Sequence, residues 1–154
     1  MKKSILIIAL AVAAAACNNG ATKSTPEQTE ETKIQETTPD LYGKEWNLVE
    51  LNGKAITVDT TFPKKPHLIF EKDSSRAMGN GGCNGFSTHF ELKENDGIEL
   101  SHAAATQMAC PNMDIEQQLF EILTKVKSYH IDGNSLTLYN ESKEALAKLE
   151  ASAQ

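Results

Sequence analysis

Between residues 41 and 150 the hydrophobic pattern takes a helical period only once. Elsewhere in that span apolar residues come in short runs bounded by Gly, Pro, Asn and Asp, the signature of strands and turns. One helix among seven or eight strands is a severe constraint. A single helix covers one face of a sheet and cannot cover two, so a flat open sheet would leave apolar side chains in water. The expected fold is therefore mostly β, of the α+β class. It is a strongly curved antiparallel sheet or partial barrel, with one amphipathic helix packed against its open side.

The individual segments follow from local pattern. Residues 46–51 form a strand, Asn52-Gly53 a hairpin turn, and 55–58 a short partner. Residues 67–70 start a strand after Pro63 and Pro66, and 76–79 pair back across the polar turn 71–75. Phe86, Thr88, Phe90 and Leu92 alternate; Asn95-Asp96-Gly97 turns the chain and 98–100 return. Thr106, Met108 and Cys110 alternate against Gln107 and Ala109, which predicts another strand, ended by Pro111. The helix begins at Asn112 or Met113, with Asp114 and Glu116 in a first turn where acids suit the dipole. Ile115, Leu119, Ile122, Leu123 and Val126 share one face, and Lys125 and Lys127 are expected in the last turn. Residues 129–131, 136–139 and 145–149 complete the strands, and 151–154 are a tail.

The first 40 residues are a different material. Lys2 and Lys3 precede an apolar run from Ile5 to Ala16, too short to span a membrane, which takes roughly 20 residues. Small residues then lead to Cys17, a pattern that resembles the lipobox of bacterial lipoproteins. Residues 1–16 are thus expected to be a lipoprotein signal peptide and Cys17 the lipidated (palmitate-bearing) residue. Asn18 follows it and favours the outer membrane, with the domain facing the periplasm or the cell surface. Residues 17–40 hold one large aliphatic side chain, Ile34, and more acids than lysines. Such a segment buries too little apolar surface to offset its ordering entropy, and reads as a disordered acidic tether. It would reach on the order of 25 to 30 Å. The net charge of −6, more negative once Lys2 and Lys3 leave with the leader, excludes a nucleic-acid partner, which needs a basic face. The expected partners are the membrane, through the anchor on Cys17, and an unidentified envelope protein.

The stretch GNGGCNGF, residues 79–86, looks most like chemistry. It lacks the lysine of a P-loop, and the dinucleotide fingerprint fails at Asn84, with strand pattern following. Thiol catalysis by Cys83 would need a basic neighbour, and the local residues are Asn and Gly. His67, His89, His102 and His130 stand in no recognised catalytic context. Zinc held by Cys83, His89, His102 and Cys110 would lack the paired spacing of zinc sites. No catalytic residue, metal site or cofactor is assigned, and the chain reads as a non-enzyme. With Cys17 lipidated, Cys83 and Cys110 remain, in a compartment where disulfides persist. A bridge between them is expected, with two buried free thiols as the alternative. Glycines beside Cys83 would permit close backbone approach.

Taken in order, Trp46-x-Leu48-x-x-Leu51-Asn52-Gly53, Gly82-Cys83-Asn84-Gly85-Phe86, Thr106-x-Met108-Ala109-Cys110-Pro111, Met113-x-x-Glu116 and Leu136-x-Leu138 resemble the META domain, the HslJ-like heat-shock family. The resemblance covers the folded part, 41–150. It implies a compact, mostly β fold with one packed helix, an envelope setting and a link to stress tolerance, with no catalytic activity to carry over. Two roles are therefore open. One is a non-catalytic envelope lipoprotein acting in stress tolerance through protein contacts. The other is a carrier or sensor of a small hydrophobic ligand, held in a cavity between sheet and helix lined by Phe86, Phe90, Met108, Leu119 and Leu123. The same five residues could instead fill the core.

Overall fold

The computed structural model describes residues 40–57 and 63–153. Cys17, the signal peptide and almost the whole tether lie outside the described residues, as does Val58. Ten strands and one helix follow in order: β1 Glu45–Leu51, β2 Lys54–Ala55, β3 His67–Glu71, β4 Arg76–Asn80, β5 Gly85–Lys93, β6 Gly97–Leu100, β7 Ala104–Ala105, α1 Asp114–Leu123, β8 Ser128–Asp132, β9 Ser135–Tyr139 and β10 Ala145–Ala151. All strand pairs among them are antiparallel.

The sheet runs β10-β9-β8-β6-β5-β4-β3-β1-β2, and β10 also pairs with β1. The curvature expected from the single helix is thus strong enough to bring the sheet round in a ring. The weak seam is β6–β8, joined at the one register pair Gly97↔Ser128. Turn chemistry sets the hairpins. Asn52 and Gly53 both take positive φ, as do Asn95 and Asp96, which is the geometry that two-residue hairpin loops need.

Period-two alternation along the strands aims one set of side chains inward. Trp46, Leu48, Leu68, Phe70, Phe86, Phe90, Ile98, Leu136, Leu138 and Leu149 form one buried cluster with Leu119, Ile122 and Leu123 of α1. Phe70 meets Phe90 edge-on at 5.3 Å between centroids, a favoured aromatic geometry. The Trp46 indole N–H donates to Leu41 O at 2.9 Å, so the ring is fully buried with its polar atom satisfied.

Three expectations need correction. Thr106 to Cys110 do not form a strand; regular pairing there is confined to β7, just before them. The helix ends at Leu123, capped by Thr124, with no basic residue in its last turn. Lys125 instead pairs with Glu121 at 3.0 Å, and Lys127 with Glu99 at 3.0 Å. Finally, β10 takes in Ala151, which pairs with Trp46, so the domain reaches into the segment expected to be a tail.

Candidate functional site: a buried carboxylate knot

The chain between β4 and β5, residues 81–84, is wholly buried although it is a turn. A buried turn must find partners for its backbone groups. Two come from the turn itself: Gly82 N–H donates to Asn80 Oδ1 at 2.8 Å, and Gly81 N–H to Asn84 O at 2.9 Å. The others come from α1. Glu116 is 2% exposed, and its carboxylate reaches into the turn. Oε2 accepts the N–H groups of Cys83 at 3.1 Å and Asn84 at 2.5 Å; Oε1 accepts Asn84 Nδ2 at 2.7 Å. All three contacts are donors, as an acceptor-only carboxylate requires.

Glycine is needed at one position for this approach. A Cβ on Gly81 would lie 2.6 Å from Glu116 Cγ and 2.8 Å from Oε2, closer than real Cβ atoms come to any neighbour.

Asn84 passes the order onward. Its Oδ1 accepts Thr106 Oγ1 and Met108 N–H, both at 2.7 Å, and its Nδ2 also donates to Met108 O at 3.1 Å. The amide cannot be turned over without placing donor against donor. Two residues beyond Met108, Cys110 is bonded to Cys83, with Cα atoms 6.0 Å apart, inside the usual range for a bridge. The expected disulfide is therefore present. Both sulfurs are taken up in this bond. Turn, segment 104–110 and helix are tied together by one covalent bond and one buried carboxylate.

The five residues named for a ligand cavity do not stay together. Phe86, Phe90, Leu119 and Leu123 join the common core, while Met108 is 52% exposed and points elsewhere. Phe86 also packs edge-on against Phe120 at 5.0 Å. Among the described residues no group of three or more His, Cys, Asp and Glu could hold a metal ion, and no described helix is long and apolar enough to cross a membrane. Sequence reasoning assigned Glu116 to the helix dipole and missed its burial. A signal existed: Glu116 lies three and seven residues before Leu119 and Leu123, inside the apolar stripe, where an acid is costly unless it is bonded.

The described residues thus make a ring-like antiparallel β domain with one docked helix and a disulfide-tied glycine turn. The META domain family model matches residues 39–153, and the chain belongs to that family. Among solved structures, an NMR structure of a protein from Burkholderia xenovorans is similar at 19% identity, with a TM-score of 0.59, covering 74% of this chain and 85% of that one. A second NMR structure is similar at 25% identity and a TM-score of 0.53, covering 70% and 88%. A crystal structure of a DUF4847 family protein from Bacteroides vulgatus is similar at 16% identity and a TM-score of 0.52, covering 74% and 96%. A search of curated proteins finds no match.

Proposed function

We propose that this protein is a non-catalytic envelope lipoprotein, anchored through Cys17, whose META domain acts in stress tolerance through protein contacts. The observation that carries the reading is how the chemically capable groups are used. Cys83 is bonded to Cys110, and the Glu116 carboxylate is taken up by three internal donors. A reactive thiol must be free to become a thiolate, and a general base must have an open lone pair facing a substrate. Here both groups hold the fold. The leader, the acidic segment that follows it and the disulfide fit an exported domain held at a distance from a membrane.

Cell fractionation and cross-linking of the full chain test this together. The wild type is expected in the membrane fraction, with a discrete set of cross-linked envelope proteins, and Cys17→Ser is expected to move to the soluble fraction and lose them. An enzymatic turnover that co-purifies with the protein and vanishes in a folded Glu116→Gln variant would refute the non-catalytic reading.

A further inference from the structure

Segment 101–110, SHAAATQMAC, contains no lysine, arginine, aspartate or glutamate. Every residue of it from Ala104 to Ala109 is exposed. Its inner edge is fully bonded in steps of two. Ala104 is in register with Ser87, and Thr106 N–H donates to Gly85 O at 3.0 Å. At Met108 no strand residue is available, and the Asn84 side chain supplies both partners instead, accepting the N–H and donating to the carbonyl. Asn84 thus imitates one more rung of the ladder. In an antiparallel ladder successive residues direct their backbone groups to opposite sides. With 104, 106 and 108 bonded inward, the N–H and C=O groups of Ala105 and Gln107 point outward, and no other described residue is bonded to them.

Among the described residues this sheet edge lacks the usual protection. Native edges are blunted by lysine, proline or a covering element, and here the first proline is Pro111. The edge borders an open groove of about 600 Å³. Ile69, Met78, Phe86 and the two alanines of β7 give the groove an apolar wall, with Ser87 and Thr106 beside it. Lys64 and His67 also line it, and among the described residues no acid does, although the chain as a whole is acidic. The groove is therefore complementary to a carboxylate that most of the surface would repel.

We propose that the outer edge of residues 103–107 accepts an extended peptide segment of another protein as an added antiparallel strand. Main-chain bonds to Ala105 and Gln107 supply the affinity. Side chains of the segment that share the face of Ala104 and Thr106 lie along the β7 rim of the groove, and a carboxylate at the end of the segment faces Lys64 across it. This deepens the reading of a protein that works by contact, and it names the surface. The Glu116–Asn84 knot and the disulfide acquire a purpose: they hold an otherwise irregular segment straight enough to be paired.

The test uses the full chain, oxidised, with two synthetic probes. One is an octapeptide alternating valine and threonine with a terminal glutamate. The other is the same peptide with alternate backbone nitrogens methylated. Binding of the first is expected to slow amide exchange at Ala105 and Gln107 at least tenfold, while the methylated peptide binds at least tenfold more weakly. Ala105→Pro removes one outward donor and leaves the Thr106 bond to Gly85 intact, so it is expected to keep its melting temperature and lose at least tenfold in binding. Lys64→Glu is expected to weaken the glutamate peptide and to favour one ending in lysine. No binding at millimolar peptide, or binding indifferent to Ala105→Pro, overturns the proposal. Protection of Ala105 that rises with protein concentration alone also overturns it, since that edge would then pair with a second copy of this chain. The parent reading fails by a different result, a membrane-independent distribution or a co-purifying turnover, so the two are separable.

Discussion

Replacing Glu116 by glutamine changes one oxygen to an amide nitrogen and almost nothing in volume. In the knot, both carboxylate oxygens face donors. If the oxygen of the introduced glutamine stays on the Cys83 and Asn84 N–H groups, its NH2 is pressed against Asn84 Nδ2. Turning the Asn84 amide over would relieve that contact but would set a donor against the Met108 N–H and an acceptor against the Met108 carbonyl. Hydrogen bonds to charged groups are worth about 1 kcal/mol more than neutral ones, so the two surviving bonds lose about 2 kcal/mol together. The unmatched third donor costs about 1 to 3 kcal/mol. Glu116→Gln should therefore destabilise the domain by about 3 to 5 kcal/mol, a fall in melting temperature of roughly 12 to 20 °C for a domain of this size. Urea unfolding of the oxidised protein, followed by Trp46 fluorescence, measures it as a lower midpoint at unchanged slope. Asn84→Asp alone puts two carboxylates face to face and should cost a similar amount. In the double variant the new amide NH2 on the helix meets a new carboxylate oxygen in the turn. The two penalties should then partly cancel, with a coupling of at least about 1 kcal/mol. A cost below about 1 kcal/mol for Glu116→Gln, or strict additivity in the double variant, would refute the directional chain from Glu116 through Asn84 to Met108.

Removing the Cys83–Cys110 bridge opens a loop of sequence separation 27, which chain-entropy arithmetic values at about 3.5 kcal/mol; calorimetry of the Cys83→Ala/Cys110→Ala protein should find that order of loss. Gly81→Ala drives a methyl to within 2.6 Å of Glu116 Cγ and should cost about 1 to 3 kcal/mol by urea unfolding, whereas Gly85→Ala, whose nearest neighbour would be 3.8 Å away, should cost less. Burial first, and the charge of Asp96 second, raise Tyr129 above its ordinary 10.0. The folded state then keeps that proton where an unfolded tyrosine would release it. The contribution to stability is intact below about pH 10 and is lost as pH climbs through the folded value. The urea midpoint should therefore fall above about pH 10, and fall less in Tyr129→Phe.

Much of this was legible in the residues. Alternation located β1, β3 to β6 and β8 to β10, and the lone apolar stripe of Ile115, Leu119, Ile122 and Leu123 demanded a curved sheet. Counting sulfurs paired Cys83 with Cys110. Alternation misled at Thr106, Met108 and Cys110, because strand periodicity reports which side chains share a face and not what bonds the backbone. There the ladder is continued by an asparagine side chain, which no period encodes. It misled again at Met108, apolar yet exposed, because it follows β7 on a segment at the sheet edge that no other described element covers. The helix end was overrun because Val126 remains buried after the helical bonds have stopped at Leu123. Glu116 was hidden by a reasonable local explanation, an acid near a helix start, that competed with its place on the apolar stripe.

The rung joining Trp46 to Ala151 has a consequence for how the molecule comes into being. Polypeptides are made from the amino end, so β1 exists long before the strand that will flank it. Until β10 emerges, the edge of β1 that faces away from β3 has no strand beside it. Contacts so distant along the chain form slowly. Closure must wait for β10, and a nascent chain that stops just short of Ala145 holds every earlier strand and the helix and still cannot shut the ring.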